Sequence, residues 1–198
     1  MKTINYNYYH FGPFLYSTRI TEDEIKTMLD ICEKQKGPNL KGKQGVFLEG
    51  EYNLPIDLVM NVLNPYYQSY CKALFETRGV STPELKMTGV WVNYMTEGEF
   101  NPPHIHTCKN STETCFLSCA VYLNVPDDMT EQTTSYGSPG AITFTYGEAL
   151  KNNQHIFTFT PKTGDFFIFP GWLNHYVNPF KSKDVRISVS ANLEEVKP

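Results

Sequence analysis

The chain has 198 residues, 40% of them hydrophobic and 19% charged, with 13 glycines, 13 prolines and a formal net charge of −4. This is ordinary globular composition, sufficient for one domain with a sizeable core, and it excludes a disordered or collagen-like chain. The mild acidity offers no basic footprint for nucleic acid, and no apolar run approaches the roughly 20 residues of a membrane span.

The opening MKTINYNYYHF has one lysine and no apolar stretch, so it does not read as an export signal. The five cysteines (32, 71, 108, 115, 119) are then expected to be reduced thiols in the cytoplasm, and the sequon Asn110-Ser111-Thr112 carries no weight there. Tyr6, Tyr8, Tyr9, Phe11 and Phe14 crowd the N-terminus, where a strand over about 8–19 is expected to join a sheet. Thr21 and Glu24 form a capping box, and Ile25, Met28, Leu29 and Cys32 follow at helical spacing. This predicts a helix ending near Gly37-Pro38. Residues 39–54 read as loop. From Pro55 to Arg78 the positions Val59, Val62, Leu63, Tyr66, Tyr67, Tyr70 and Leu74 again follow a 3.6-residue period. Asn64-Pro65 is expected to kink or restart that helix, and Gly79 to end it.

From Leu85 the pattern changes to short strands between turns, at about 85–95, 103–107, 116–124, 141–145, 155–160, 165–169 and 185–192. Such spacing predicts a sandwich or barrel. The whole chain, 1–198, reads as a single domain, with residues 1–84 as N-terminal support and 85–198 as β core, since neither helix could bury its apolar face alone.

Three stretches of that β region carry chemistry. In a strand, residues two apart share a face, so His104 and His106 project together while Ile105 points away. His175 follows the apolar run Phe167-Ile168-Phe169-Pro170. In the stretch 185–192, Val185, Ile187, Val189 and Ala191 alternate with Arg186, Ser188, Ser190 and Asn192. The polar face suits either solvent or a cavity in which Arg186 awaits an anion, because Arg grips a carboxylate through two parallel bonds. The stretch 116–124 divides likewise, with Leu117, Cys119, Val121 and Leu123 on one face and Phe116, Ser118, Ala120, Tyr122 and Asn124 on the other.

A His pair, a distal His and a later Arg, in the contexts Asn101-Pro102-Pro103-His104-Ile105-His106, Tyr122-Leu123-Asn124-Val125-Pro126, Gly164-Asp165-Phe166-Phe167-Ile168-Phe169-Pro170 and Arg186-Ile187-Ser188-Val189-Ser190-Ala191-Asn192, resembles the 2-oxoglutarate/Fe(II) oxygenases of the prolyl-4-hydroxylase-like branch, in particular those of phage and bacterial genomes. The resemblance spans about 88–192. It implies a mainly β fold with N-terminal helices, a double-stranded β-helix of jelly-roll, cupin-like form. It implies His104, His106 and His175 as iron ligands, Arg186 with Ser188 for the distal carboxylate of 2-oxoglutarate, and Tyr94 and Tyr122 as further cosubstrate contacts.

The family's middle ligand is ordinarily the carboxylate of His-x-Asp/Glu. Here it is His106, unless Glu97, Glu99 or Asp165 takes that place, and a His there leaves no vacancy for halide. The implied activity is hydroxylation of an unactivated C–H bond with 2-oxoglutarate and O₂, giving succinate and CO₂, with ascorbate in support. The substrate would be a peptidyl prolyl or other peptidyl side chain, or a small molecule. Two rivals stand beside it: a three-His, cupin-like metalloenzyme that does not use 2-oxoglutarate, in which Arg186 would face solvent or a salt bridge, and a non-catalytic binding protein. Neither nucleic acid nor membrane is an expected partner.

Other signals are discounted. Gly37 to Gln44 mimics a phosphate-binding G-x-x-x-x-G-K, but Gln44 stands where Ser or Thr is needed. Cys108, Cys115 and Cys119 lack the C-x₂-C spacing of a zinc site, so buried or loop thiols are expected. His10 and His155 are isolated. Specificity is expected on the loops 36–54, 107–115 and 127–140.

Overall fold

The computed structural model describes residues 12–35, 50–108, 113–130 and 138–196. His10, the aromatic residues 6–11, the stretch 37–44 and the sequon lie outside them, as do parts of the three expected specificity loops.

The chain begins with strand β1 (Tyr16–Arg19), helix α1 (Glu22–Lys34), strand β2 (Gly50–Asn53) and helix α2 (Ile56–Arg78). Eight strands follow: β3 (Leu85–Met95), β4 (Asn101–His104), β5 (Leu117–Asn124), β6 (Ile142–Thr145), β7 (Ile156–Phe159), β8 (Asp165–Pro170), β9 (Asn174–Val177) and β10 (Arg186–Glu195). They form a six-stranded sheet in the order β1-β8-β5-β10-β3-β2 and a four-stranded sheet in the order β4-β9-β6-β7. All pairings are antiparallel. Strands β3 to β10 pass back and forth between the sheets in the jelly-roll manner, except for β6 and β7, which are paired neighbours in the smaller sheet, and the N-terminal β1 and β2 extend the larger sheet at its two edges.

Helix α1 starts on its capping box: the Glu24 amide donates to Thr21 Oγ1 at 3.3 Å and the Thr21 amide to Glu24 Oε2 at 2.7 Å. The Tyr66 hydroxyl donates to the same carboxylate at 2.6 Å and ties the two helices together. Helix α2 runs unbroken past Pro65, so the expected restart does not occur. A proline inside a helix costs about 3 kcal/mol. Burying Val59, Leu63, Tyr67, Tyr70 and Leu74 on one face contributes about 2 kcal/mol each and outweighs that cost. Gly79 closes the helix with a left-handed φ of 66°, its amide bonded to the Phe75 carbonyl at 2.8 Å.

The helices cover the outer face of the six-stranded sheet. There Val90, Val92, Leu117, Cys119, Val121, Leu123, Phe166, Ile168, Val189 and Ala191 meet the apolar faces of both helices. The opposite face of the sheet, with Met95, Ala120, Tyr122, Phe167 and Phe169, packs against Ile142, Phe144 and Val177 of the smaller sheet. Strand alternation in β5 thus sends odd residues to the helices and even residues to the space between the sheets.

Two strands depart from the sequence expectation. Residues 50–53 are the edge strand β2 rather than loop. Gly50 permits it, because a Cβ at that position would lie 2.5 Å from the Tyr94 carbonyl oxygen. Strand β9 occupies 174–177, where no strand was expected. Its four mixed residues carry no alternation of their own and are held between β4 and β6 by backbone pairing.

Candidate active site

The pairing of β4 with β9 sets His104 opposite His175. Strand β4 ends at His104, so strand alternation alone does not turn His106 inward. The His106 amide donates to the Gly171 carbonyl at 2.9 Å, and its own carbonyl accepts from the Cys115 amide at 3.0 Å. These bonds seat His106 inside at 5% exposure while Ile105 stays 43% exposed.

One nitrogen from each of His104, His106 and His175 lies within 4.8 Å of the others. The Nε2 atoms of His106 and His175 are 3.3 Å apart, close to the roughly 3 Å separating two nitrogens held at about 2.1 Å on adjacent positions of one metal ion. His104 Nδ1 meets the Pro102 carbonyl at 2.7 Å, and His175 Nδ1 the Leu173 carbonyl at 2.9 Å. Each Nδ1–H therefore donates to backbone, and each Nε2 keeps its lone pair. Burial lowers all three pKa values. His175 is held at about 3, by burial first and by His104 second. His106 is held well below its ordinary value, by burial and then by His175 and His104. His104 is lowered by burial against an opposing bond to Pro102. All three rings are neutral at pH 7 and need release no proton to bind a metal.

Among the described residues no carboxylate joins the cluster. Asp165 pairs with Arg19 at 2.6 Å. Glu99 accepts from the Thr96 amide at 2.5 Å. Glu97 is exposed. The third member of the cluster is the imidazole of His106.

Strand β10 runs antiparallel to β3 and β5 at once, placing Arg186 opposite Met95, and Ser188 opposite both Asn93 and Tyr122. All five line the cavity that the three histidines share, together with Trp91, Asn101 and Phe169. Arg186 is 1% exposed. Its guanidinium carbon stands 4.7 Å from the Tyr122 ring centroid, and Nη1 reaches Met95 Sδ at 2.9 Å. Burial pulls its pKa down, against the favourable neighbour Tyr122, and burial raises that of Tyr122. Among the described residues, three buried side-chain atoms lack a hydrogen-bond partner: Arg186 Nε, Asn93 Oδ1 and Asn101 Oδ1. All three belong to this one cavity. Buried polar groups are otherwise satisfied in folded proteins, so the cavity is shaped for a polar guest that accepts from the guanidinium and donates to the two amide oxygens.

Tyr94 is a correction. It lies on the other face of β3, packed among the helix-side apolar residues, with its hydroxyl donating to Glu33 Oε1 at 3.3 Å. Alternation that carries Trp91, Asn93 and Met95 inward must carry Tyr94 outward. Asn93 and Asn101 were not foreseen. The signal for Asn93 was available, since the register of β3 follows from Trp91-Val92-Asn93. Asn101 has no such signal, because the pairing of β4 with β9 shifts register between Asn101 and His104.

A jelly-roll whose cavity joins three neutral imidazoles to a buried guanidinium with no carboxylate partner among the described residues has the chemistry to hold a metal ion beside an anionic ligand. Residues 89–192 match the sequence family described as "Putative 2OG-Fe(II) oxygenase", and the chain belongs to that family. No curated protein matches it in sequence. Among solved structures it is similar to a Pseudomonas putida prolyl-4-hydroxylase, with 11% identity, a TM-score of 0.61, and 92% of this chain and 93% of that one covered. It is similar to the viral collagen prolyl hydroxylase of Paramecium Bursaria Chlorella virus-1 in its 2OG complex, with 14% identity, a TM-score of 0.59, and 93% and 98% covered. It is also similar to the non-heme alpha-ketoglutarate-dependent carbocyclase SnoK from nogalamycin biosynthesis, with 14% identity, a TM-score of 0.64, and 91% and 79% covered. Among the described residues no helix is long and apolar enough to cross a membrane.

Proposed function

We propose that this oxygenase is a hydroxylase in which His104, His106 and His175 hold Fe(II), and Arg186, assisted by Ser188 and Tyr122, holds the distal carboxylate of 2-oxoglutarate. The observation that carries this reading is Arg186, a fully buried cation without an anionic partner among the described residues, in the same cavity as three neutral imidazoles. In a metalloenzyme that did not use the keto acid, that guanidinium would have no reason to face the metal.

Bound iron, with 2-oxoglutarate and O₂, supplies the oxidation that converts a C–H bond to C–OH while succinate and CO₂ leave. The protein's own part is positional. The carbonyls of Pro102 and Leu173 fix the ring orientation of His104 and His175. Arg186 offers a planar fork to one end of a dicarboxylate, which directs the keto-acid end toward the histidines. Phe169, Ile142 and Val177 line the cavity with apolar surface and keep water from the reacting centre.

The substrate we propose is a peptidyl side chain, with proline first, because the similar structures include prolyl hydroxylases. The carbocyclase among them makes a small molecule the second candidate. The test incubates purified protein with Fe(II), ascorbate and 2-oxoglutarate and measures succinate, alone and with a panel of proline-containing peptides. The expected result is peptide-stimulated succinate that Arg186→Ala abolishes. Succinate at background throughout, with 2-oxoglutarate binding unaltered by Arg186→Ala, overturns the assignment. Succinate formed equally with proline and alanine peptides overturns the prolyl substrate only.

A further inference from the structure

We propose that Cys108, Cys115 and Glu194 form a second cation site, for a thiophilic divalent ion of which Zn²⁺ is the first candidate, beside the paired segments that seat His106. The two Sγ atoms and a Glu194 carboxylate oxygen lie within 4.8 Å of one another. Around zinc, with Zn–S of about 2.3 Å and Zn–O of about 2.0–2.2 Å, tetrahedral donor atoms stand roughly 3.5–4 Å apart. A small closing movement converts the trio into three ligands, with a fourth position left for water. Two thiolates and one carboxylate are a donor set that selects zinc over the harder cations.

The backbone assembles these groups from distant parts of the chain. Thr107 bridges Thr114, the Cys108 amide donates to the Glu113 carbonyl at 2.7 Å, and Cys108 Sγ donates to the Thr114 carbonyl at 3.5 Å, so the two cysteines sit on paired segments. The Phe116 amide donates to the Leu193 carbonyl at 3.0 Å, which brings the second of those segments against the end of β10. Thr88 Oγ1 donates to Glu194 Oε1 at 3.0 Å and orients the carboxylate, whose remaining lone pairs suffice for an ion. Cys119, which the sequence grouped with these two, is elsewhere: it faces the helices, 3.2 Å from the Tyr67 hydroxyl. Glu194 takes its place as third ligand.

The site has a consequence for the catalytic cavity. The Cys115 amide holds the His106 carbonyl, and a Cβ on Gly171 would lie 2.4 Å from the Cys115 carbonyl oxygen. Cys115, His106 and Gly171 are therefore one close-packed unit, and an ion on Cys115 clamps the segment from which His106 projects. Binding is a ligand exchange: two metal–sulfur bonds and one metal–oxygen bond to Glu194 form, the hydrated ion releases the waters they replace, both S–H bonds break with their protons passing to solvent, and no electron changes hands.

This inference is independent of the hydroxylase reading, and its test does not use activity. Metal-free wild-type protein is titrated with Co²⁺ under reducing, anaerobic conditions while the near-ultraviolet thiolate-to-cobalt charge-transfer band is followed. Imidazole ligands give no such band, so it counts this site alone. The expected result is a saturable band whose final intensity corresponds to one bound ion per chain, and which is displaced by Zn²⁺, persists in His104→Ala, disappears in Cys115→Ser, and needs at least tenfold more cobalt in Glu194→Gln. In the wild-type protein, Zn²⁺ also protects Cys108, but not the similarly half-buried Cys71, from alkylation as read by mass spectrometry, so the result stands even where Cys115→Ser does not fold. A missing band, a band that survives Cys115→Ser, or equal alkylation with and without zinc overturns the proposal. A Cys108–Cys115 disulfide in protein purified under reducing conditions does so too.

Discussion

Replacing Arg186 with methionine separates what a residue contributes to folding from what it contributes to function. The guanidinium is 1% exposed and its Nε has no partner. Among the described residues no carboxylate pairs with it. An unpaired buried cation is costly, and exchanging buried charge for apolar volume commonly stabilises by about 1–4 kcal/mol. The contact with Tyr122 at 4.7 Å returns about 2 kcal/mol. Arg186→Met should therefore raise the melting temperature of the ligand-free protein, by about 2–4 °C for each kcal/mol in a chain of this size. The same change removes the partner of a buried carboxylate, which costs about 2–5 kcal/mol, or roughly 30- to 5,000-fold in Kd for 2-oxoglutarate. The assay is thermal unfolding of Fe(II)-loaded protein under anaerobic conditions across a 2-oxoglutarate titration. Wild type should start lower and climb with ligand, and Arg186→Met should start higher and stay flat. A variant that melts lower than wild type and still climbs with 2-oxoglutarate refutes the reasoning, because Arg186 would then be a structural cation with a partner of its own.

Three further outcomes are expected. Apo stability should depend on pH through the histidines. Their folded values lie below the unfolded value of about 6.5, with His175 at about 3, so below pH 6.5 the unfolded chain binds more protons. Stability is then fully present above that pH and is lost on acidification, by about 1.4 kcal/mol per pH unit from His175 down to about 3, with His104 and His106 acting in the same direction; urea midpoints at pH 7.5, 6 and 5 measure this, and His175→Asn should flatten the slope. Tyr94→Phe should leave the Kd for 2-oxoglutarate unchanged while Tyr122→Phe alters it, as calorimetry would report, since only Tyr122 lies in the cavity. Gly50→Ala should cost about 1–3 kcal/mol by overpacking, because its Cβ meets the Tyr94 carbonyl, and a melting temperature equal to wild type would mean that β2 has room to move.

How far the sequence could be read follows from which interactions are local. The helix N-terminus at Thr21 and the alternation of the last strand are written in adjacent residues, and the same alternation separates Arg186 and Ser188 from Ile187 and Val189. Local pattern was silent where pairing partners decide. Residues 50–53 become a strand because β3 offers a free edge, and 174–177 because β4 and β6 flank them. His106 turns inward through bonds to Gly171 and Cys115, which no two-residue period contains. Tyr94 was misplaced because its candidacy came from resemblance and not from the register of its own strand. Glu194 was invisible as a partner of Cys108 because nearly the whole β core separates them in sequence.

The imidazole at position 106 sets the charge of the site, and this can be tested directly. The lining contains Arg186 and three neutral histidines but no carboxylate. With a divalent ion the cavity would carry three positive charges against the two negative charges of 2-oxoglutarate. The ordinary His-x-Asp pattern would leave two. In His106→Asp, a carboxylate of the bound keto acid about 5 Å from the new negative charge experiences a repulsion of roughly 3 kcal/mol per unit charge at an effective dielectric constant of 20. The shorter aspartate side chain and residual solvent reduce this, so 2-oxoglutarate binding should weaken by roughly ten- to a hundredfold. Metal occupancy is measured first, by elemental analysis, so that a lost ion is not mistaken for a lost attraction. The Kd for 2-oxoglutarate is then compared at low and high salt. The difference between variant and wild type should persist at high salt, because groups this deeply buried are poorly screened. Equal affinity in a fully metal-loaded His106→Asp protein would show that chelation and Arg186 alone govern binding, and that the third imidazole is there for geometry rather than for charge.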